Sequence, residues 1–204
     1  MTSNEVLVSP RAARWFWPSW GLAFLGFPIG GAAATLLVGP IDTVGAAALG
    51  GAVAGGVIGA AQWLVLRRRL PLSVLWTPVT AGAMALGLAL AHVVLGDGTT
   101  TLLLLLRGLI VGAAIGAAQA ALLRRVVPAP TIWAAVVTTG WALAWPISAA
   151  IGLDLTLKWA VFGASGALAF QLATGLMLAC LLRRNAPALA PARAVVSQSP
   201  VNVT

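Results

Sequence analysis

Six apolar runs, each about as long as a bilayer is thick, leave this chain very few folds. They lie at Trp17–Val38, Val44–Leu66, Val74–Leu95, Thr101–Leu123, Ile132–Leu153 and Leu157–Leu182. A hydrocarbon core about 30 Å thick needs about 20 apolar residues in a helix rising about 1.5 Å per residue. Barrel strands would be shorter and would alternate in polarity, so the runs predict helices. Composition agrees: 60% of residues are hydrophobic and 8% charged, with a mean hydropathy of +1.00, whereas soluble domains carry about 25% charged residues. The expectation is an all-α integral membrane protein with six transmembrane helices.

Short breaks rich in Gly, Pro and Asp separate the runs, so consecutive helices should pack as antiparallel neighbours. Charge sorts the breaks into two kinds. Arg11, Arg14, Arg67 to Arg69, Arg124, Arg125, Arg183 and Arg184 precede the first run or follow an even-numbered one, while Asp42, Asp97 and Asp154 follow odd-numbered ones. Basic residues collect on the cytoplasmic side. This predicts a multi-pass protein of the bacterial cytoplasmic (inner) membrane with both termini inside: residues 1–16 as a tail, 17–184 as the six-helix domain and 185–204 as a disordered extension. A cleaved signal peptide would need a shorter first run with fewer tryptophans, and its removal would leave five spans with conflicting charges. The formal charge of +8 comes from these clusters beside spans, which argues for lipid rather than nucleic acid as the partner. Cys180, the single cysteine, lies in the last run and can form no disulfide within the chain.

The segments "GAAQWLVLRRRLP" (Gly59–Pro71) and "GAAQAALLRRVVP" (Gly116–Pro128) write a glutamine, a pair of arginines and a proline twice, in register. A shift of 57 residues superimposes Gly51, Gly55 and Gly59 on Gly108, Gly112 and Gly116. The same shift carries Gln62 to Gln119, Arg67 and Arg68 to Arg124 and Arg125, and Trp76 to Trp133. A weaker third copy ends in "LLRRNAP" (Leu181–Pro187). Three repeated two-helix hairpins follow, over about 17–71, 72–128 and 129–187. Each holds an even number of spans, so rotation about the membrane normal relates them and a pseudo-threefold arrangement is expected.

Within each copy the glycines recur every four residues, in one stripe of a helix. Small residues so placed let backbones approach closely, which matters in lipid, where burying apolar surface gains little. The stripes were therefore expected to form the central helix contacts. Gln62 and Gln119 extend the stripes about 7 Å inside their arginines. They serve either as interhelical hydrogen-bonding groups or as a polar ring along a pathway. Gln171 belongs to a degraded third stripe with Gly163, Ala167 and Gly175. The arginine pairs read as topology determinants and anchors, or as sites for anionic lipid headgroups.

Trp15, Trp17, Trp20, Trp63, Trp76, Trp133 and Trp159 lie near run ends and are expected in the interfacial belt. Trp141 and Trp145 lie deeper, before Pro146. Arg107 fits least well. It falls inside the fourth run, where a charge is expensive unless it snorkels outward or finds a partner. His92, Asp97 and Asp154 are the candidates. Lys158 and Asp154 are spaced for an i, i+4 pair.

An enzyme needs convergent reactive groups, and the spans supply no paired carboxylates, histidine cluster, Ser-His-Asp set or phosphate loop. No cofactor is expected. The run from Gly55 to Pro71, "GxxxGxxQWLVLRRRLP", with Trp76 and a glycine-spaced helix after it, resembles the repeated hairpin of a loose set of uncharacterised bacterial multi-pass membrane proteins. That resemblance covers most of the chain and implies no activity. The second copy departs from it at Ala120, where the first has Trp63. Mitochondrial carriers also have three two-helix repeats, but their charged proline-kink signature is absent. Two readings remain: a non-enzymatic structural or accessory subunit, suited to homo-oligomers or a membrane partner, and a small transporter or channel with a polar path near Gln62, Gln119 and Arg107. A dry, glycine-packed centre favours the first and a hydrated path the second.

Overall fold

The computed structural model describes residues 10–68, 70–127, 129–151 and 166–184. Among these the regular elements are seven helices: α1 (Pro10–Ala23), α2 (Gly26–Val38), α3 (Val44–Leu66), α4 (Trp76–Leu95), α5 (Thr101–Leu123), α6 (Pro130–Ala150) and α7 (Gly166–Arg184). Five stretches are long and apolar enough to cross a membrane, Phe16–Val38, Val44–Leu66, Trp76–Leu95, Thr101–Leu123 and Pro130–Ala150. The chain thus has multi-pass, helical membrane character. α7 carries a shorter apolar stretch, Gly166–Cys180. The start of the expected sixth run, with Asp154, Lys158, Trp159 and Gly163, lies outside the described residues, as do the two tails beyond the helices.

The first expected run is not one helix. It breaks at Phe24 and Leu25, between α1 and α2, because Pro28 in the first turn of α2 has no N–H to give to the Phe24 carbonyl and its ring would crowd that carbonyl. The chain tightens instead: Phe24 N–H bonds to Gly21 O at 3.1 Å, Leu25 N–H to Leu22 O at 3.0 Å and Phe27 N–H to Phe24 O at 2.9 Å. Two other boundaries recur. Gly39 and Gly96 follow the ends of α2 and α4 with φ of 81° and 62°, where a side chain would be strained. Thr43 and Thr100 then cap α3 and α5, their hydroxyls accepting from Ala46 N–H at 3.1 Å and Leu103 N–H at 3.4 Å.

From α2 onward each helix packs antiparallel on the next. A Cβ placed on Gly51 would lie 2.8 Å from Met84 O, one on Gly55 3.0 Å from Ala81 Cα and one on Gly59 3.2 Å from Thr77 Cα. The stripe of α3 therefore lies flat on α4. On α5, an added Cβ would lie 2.8 Å from Ala142 Cα at Gly108, 2.9 Å from Thr138 Cα at Gly112 and 3.1 Å from Ala134 Cα at Gly116, so this stripe lies on α6 in the same register. The helices between are joined likewise: an added Cβ would lie 2.9 Å from Ala54 O of α3 at Gly30 of α2, and 2.9 Å from Val111 Cα of α5 at Gly87 of α4. Gly140 faces Phe170 across α6 and α7, and Gly175 faces Trp17 and Trp20 across α7 and α1. This last contact brings the first helix against the last.

The glycine stripes were expected at the centre, and the structure corrects this. They bind neighbours pairwise, while Phe27, Ile58, Met84, Ile115, Trp141 and Phe170 fill the middle. A ring of helices leaves an axial space too wide for glycines, which only large side chains can pack to interior density. The outer surface is apolar, with Leu36 85% and Leu37 75% exposed. An exposed leucine face of this kind suits lipid, not water.

Candidate functional site: a buried glutamine and tryptophan network

Gln62 of α3 and Gln119 of α5 meet between the helices, and both are buried. Gln119 Nε2 donates to Gln62 Oε1 at 3.3 Å and to Thr80 Oγ1 of α4 at 3.1 Å. Each glutamine also accepts from an indole on the following helix, Trp76 Nε1 to Gln62 Oε1 at 3.4 Å and Trp133 Nε1 to Gln119 Oε1 at 3.1 Å. Both pairs are 14 residues apart in sequence. The geometry follows from the stripes: Gln62 is one helical step beyond Gly59, so it emerges where α3 is already in contact with the start of α4. Trp76 and Trp133 are completely buried and stack obliquely, ring centroids 6.2 Å apart.

Gln171 does not join this cluster. It sits on α7 against Trp20 of α1, where Trp20 Nε1 donates to Gln171 O at 2.8 Å and Gln171 Nε2 donates to Trp20 O at 2.6 Å. The helix break supplies the acceptor. In an unbroken α-helix Trp20 O would take the Phe24 N–H, but that N–H bonds to Gly21 O. Gln171 thus caps a carbonyl that Pro28 indirectly frees. Its own Oε1 is buried without a partner.

The expected interfacial belt needs correction at three positions. Trp20, Trp76 and Trp133 are 1%, 0% and 0% exposed, and they bond to Gln171, Gln62 and Gln119 respectively. In lipid an unpaired indole N–H or amide is costly, so a core can keep both only by pairing them. Trp17 is exposed. Thr80 was missed, since nothing in its sequence setting marks it.

Next to the network the axis is shut. Phe27, Trp141 and Phe170 form an aromatic triangle with centroids 5.7 to 6.0 Å apart. The space among these rings, Ile58, Met84, Ile115, Thr80 and the two glutamines has no room for a water molecule. A cavity of about 20 Å³ lies beyond, lined by Gly31, Ala54, Leu88 and Trp145 among others; that is room for about one water.

Arg107 is at the other end. Its guanidinium donates to Gly96 O in the turn after α4 and lies 5.8 Å from the Trp145 ring centroid. His92 Nδ1 is 3.5 Å from Asp97 Oδ1 in the same turn. Arg107 and His92 therefore bind the α4–α5 turn, and neither reaches Gln62 or Gln119. Asp154, the third candidate partner, is outside the described residues. Among the described residues no three His, Cys, Asp or Glu side chains gather as a metal site would require. Cys180 is exposed. The antiparallel order puts exposed Arg67, Arg68, Arg124 and Arg125 at one end of the bundle and Asp42 and Asp97 at the opposite one. Comparison of the chain with protein-family models, characterised proteins and solved structures finds no match.

Proposed function

We propose that the protein is a non-enzymatic structural or accessory subunit of the bacterial cytoplasmic membrane, with six spans, three pseudo-threefold hairpins and both termini cytoplasmic. One observation carries this reading: Gln62, Gln119, Thr80, Trp76 and Trp133 bond to one another, and an aromatic plug leaves no room for water beside them. A substrate site would need groups left over for a ligand. The alternative, a small transporter or channel, needs a path joining Gln62 and Gln119 to Arg107, and Arg107 is tied to the turn at Gly96.

The Trp20–Gln171 contact supports the pseudo-threefold reading. Gln62 pairs with the tryptophan opening the next helix, as does Gln119, and Gln171 on the last helix pairs with Trp20 on the first, as cyclic order requires. The chain reconstituted in liposomes is expected to leave water and small-ion permeability at the level of empty vesicles, and to co-purify from its native membrane with copies of itself or a second membrane protein. Protein-dependent flux would replace this reading with the transporter reading. Recovery as a lone monomer without flux would remove both.

A further inference from the structure

The two related arginine-bearing helix ends differ at five positions, of which Trp63 against Ala120 and Arg69 against Val126 change a polar group. α3 ends with Trp63 one turn before Arg67 and Arg68, whereas α5 has Ala120 one turn before Arg124 and Arg125. The Arg67 guanidinium carbon lies 4.5 Å from the centroid of the Trp63 ring. Trp63 Nε1 is covered by protein and has no hydrogen-bond partner, a costly state for a donor at the edge of a lipid-embedded helix. Arg67 and Arg68 are exposed, and both described carboxylates are at the far end of the bundle. Two exposed arginines and one unpaired indole donor thus share a helix end with no described carboxylate beside them.

We propose that this end of α3 binds one anionic phospholipid, its phosphate held by Arg67 and Arg68 and a glycerol ester carbonyl accepting from Trp63 Nε1–H. The spacing fits a lipid and not a free phosphate. Trp63 is four residues before Arg67, which is about 6 Å deeper along the helix, and an ester carbonyl lies below a headgroup phosphate while a free ion cannot reach both levels. Arg67 is exposed on a flexible stem, so its guanidinium can leave the indole face for the phosphate and open that side of the ring to lipid. Ala120 offers α5 no such donor, so the site is expected once per chain. The inference is independent of the accessory-subunit reading and needs only that α3 crosses a bilayer.

The test is native mass spectrometry of the full chain in mild detergent, titrated with phosphatidylglycerol or phosphatidylcholine. The first phosphatidylglycerol is expected to bind about thirtyfold tighter than phosphatidylcholine, the scale set by two arginines at a membrane surface. Trp63→Phe, which keeps the ring and loses the donor, and Arg67→Gln should each remove most of that preference, while Arg124→Gln should not. Ala120→Trp should create a second tightly held phosphatidylglycerol, a gain that misfolding cannot imitate. Equal binding by Trp63→Phe and the unaltered chain, equal loss in Arg124→Gln, displacement by millimolar inorganic phosphate, or no second lipid in Ala120→Trp would each overturn the proposal.

Discussion

Gln119 shows how little freedom a polar side chain retains inside this bundle. Both its amide hydrogens are directed, to Gln62 and Thr80, and its oxygen is taken by Trp133. Gln119→Leu leaves the Trp133 indole unpaired, and Gln62→Leu does the same to Trp76. Each change is expected to cost about 1 kcal/mol, within the range for interhelical hydrogen bonds in lipid. The double variant should cost less than the sum, because the bond between the glutamines is lost once and counted in both single variants. Reversible unfolding in mixed micelles measures this, and strict additivity would show that the two amides do not share a bond. The sequence marks both glutamines by their repeated setting but not their partners. A tryptophan near a run end suits the interface and the core equally well in one dimension, and only the rotation of α4 and α6 about their axes turns Trp76 and Trp133 inward.

At the scale of the helix, four-residue glycine spacing was legible as a packing device, while the neighbour it packs against was not. Gly112 meets Thr138 and Trp141 of α6, where a Cβ would lie 2.9 Å from Thr138 Cα and 2.7 Å from Trp141 Cβ. Ala113, the next residue, is exposed. Gly112→Val is therefore expected to force α5 and α6 apart and to destabilise by about 1 to 3 kcal/mol, the usual cost of overpacking. Ala113→Val should be near neutral in lipid. Comparing the two variants by thermal melting in detergent separates packing from the general effect of a β-branched residue in a helix, and equal losses would refute the close contact. The break in the first run belongs to this scale too. Pro28 was in view throughout, but hydropathy does not register a missing N–H, so a periodicity argument carries a helix straight through it.

For the whole molecule, the consequential contact is the one the chain makes last. α1 and α7 meet through Trp20 and Gln171, which places the two ends of the described bundle side by side. If that seam is as good as the others, chain order is unimportant to the fold. A permutant joining residue 204 to residue 1 and opened in the α4–α5 turn near Gly98 should insert, fold and elute as the natural chain does by size exclusion in detergent. A polydisperse or degraded permutant would mean that the α1–α7 seam cannot hold without the natural connectivity. Arg107 is a useful control for the same opening. It bonds to Gly96 in that turn, so a cut after Gly98 retains its partner.

The sequence by itself determined that the helices suit lipid and that neighbours alternate in direction. Twenty-residue apolar runs have only helices as a solution in lipid, and arginines and aspartates alternate between ends because a charge does not cross the hydrocarbon cheaply. The doubled "GAAQ" segment also determined that two helix pairs share one register, since equal side chains at equal spacing make equal surfaces. What the tertiary structure alone decided was the facing of those surfaces: the stripes toward α4 and α6, the large aromatics toward the axis, and Trp20 against Gln171 across the whole length of the chain. These depend on how far each helix turns about its own axis against its neighbours, a quantity fixed by the joint packing of the ring and by no single segment.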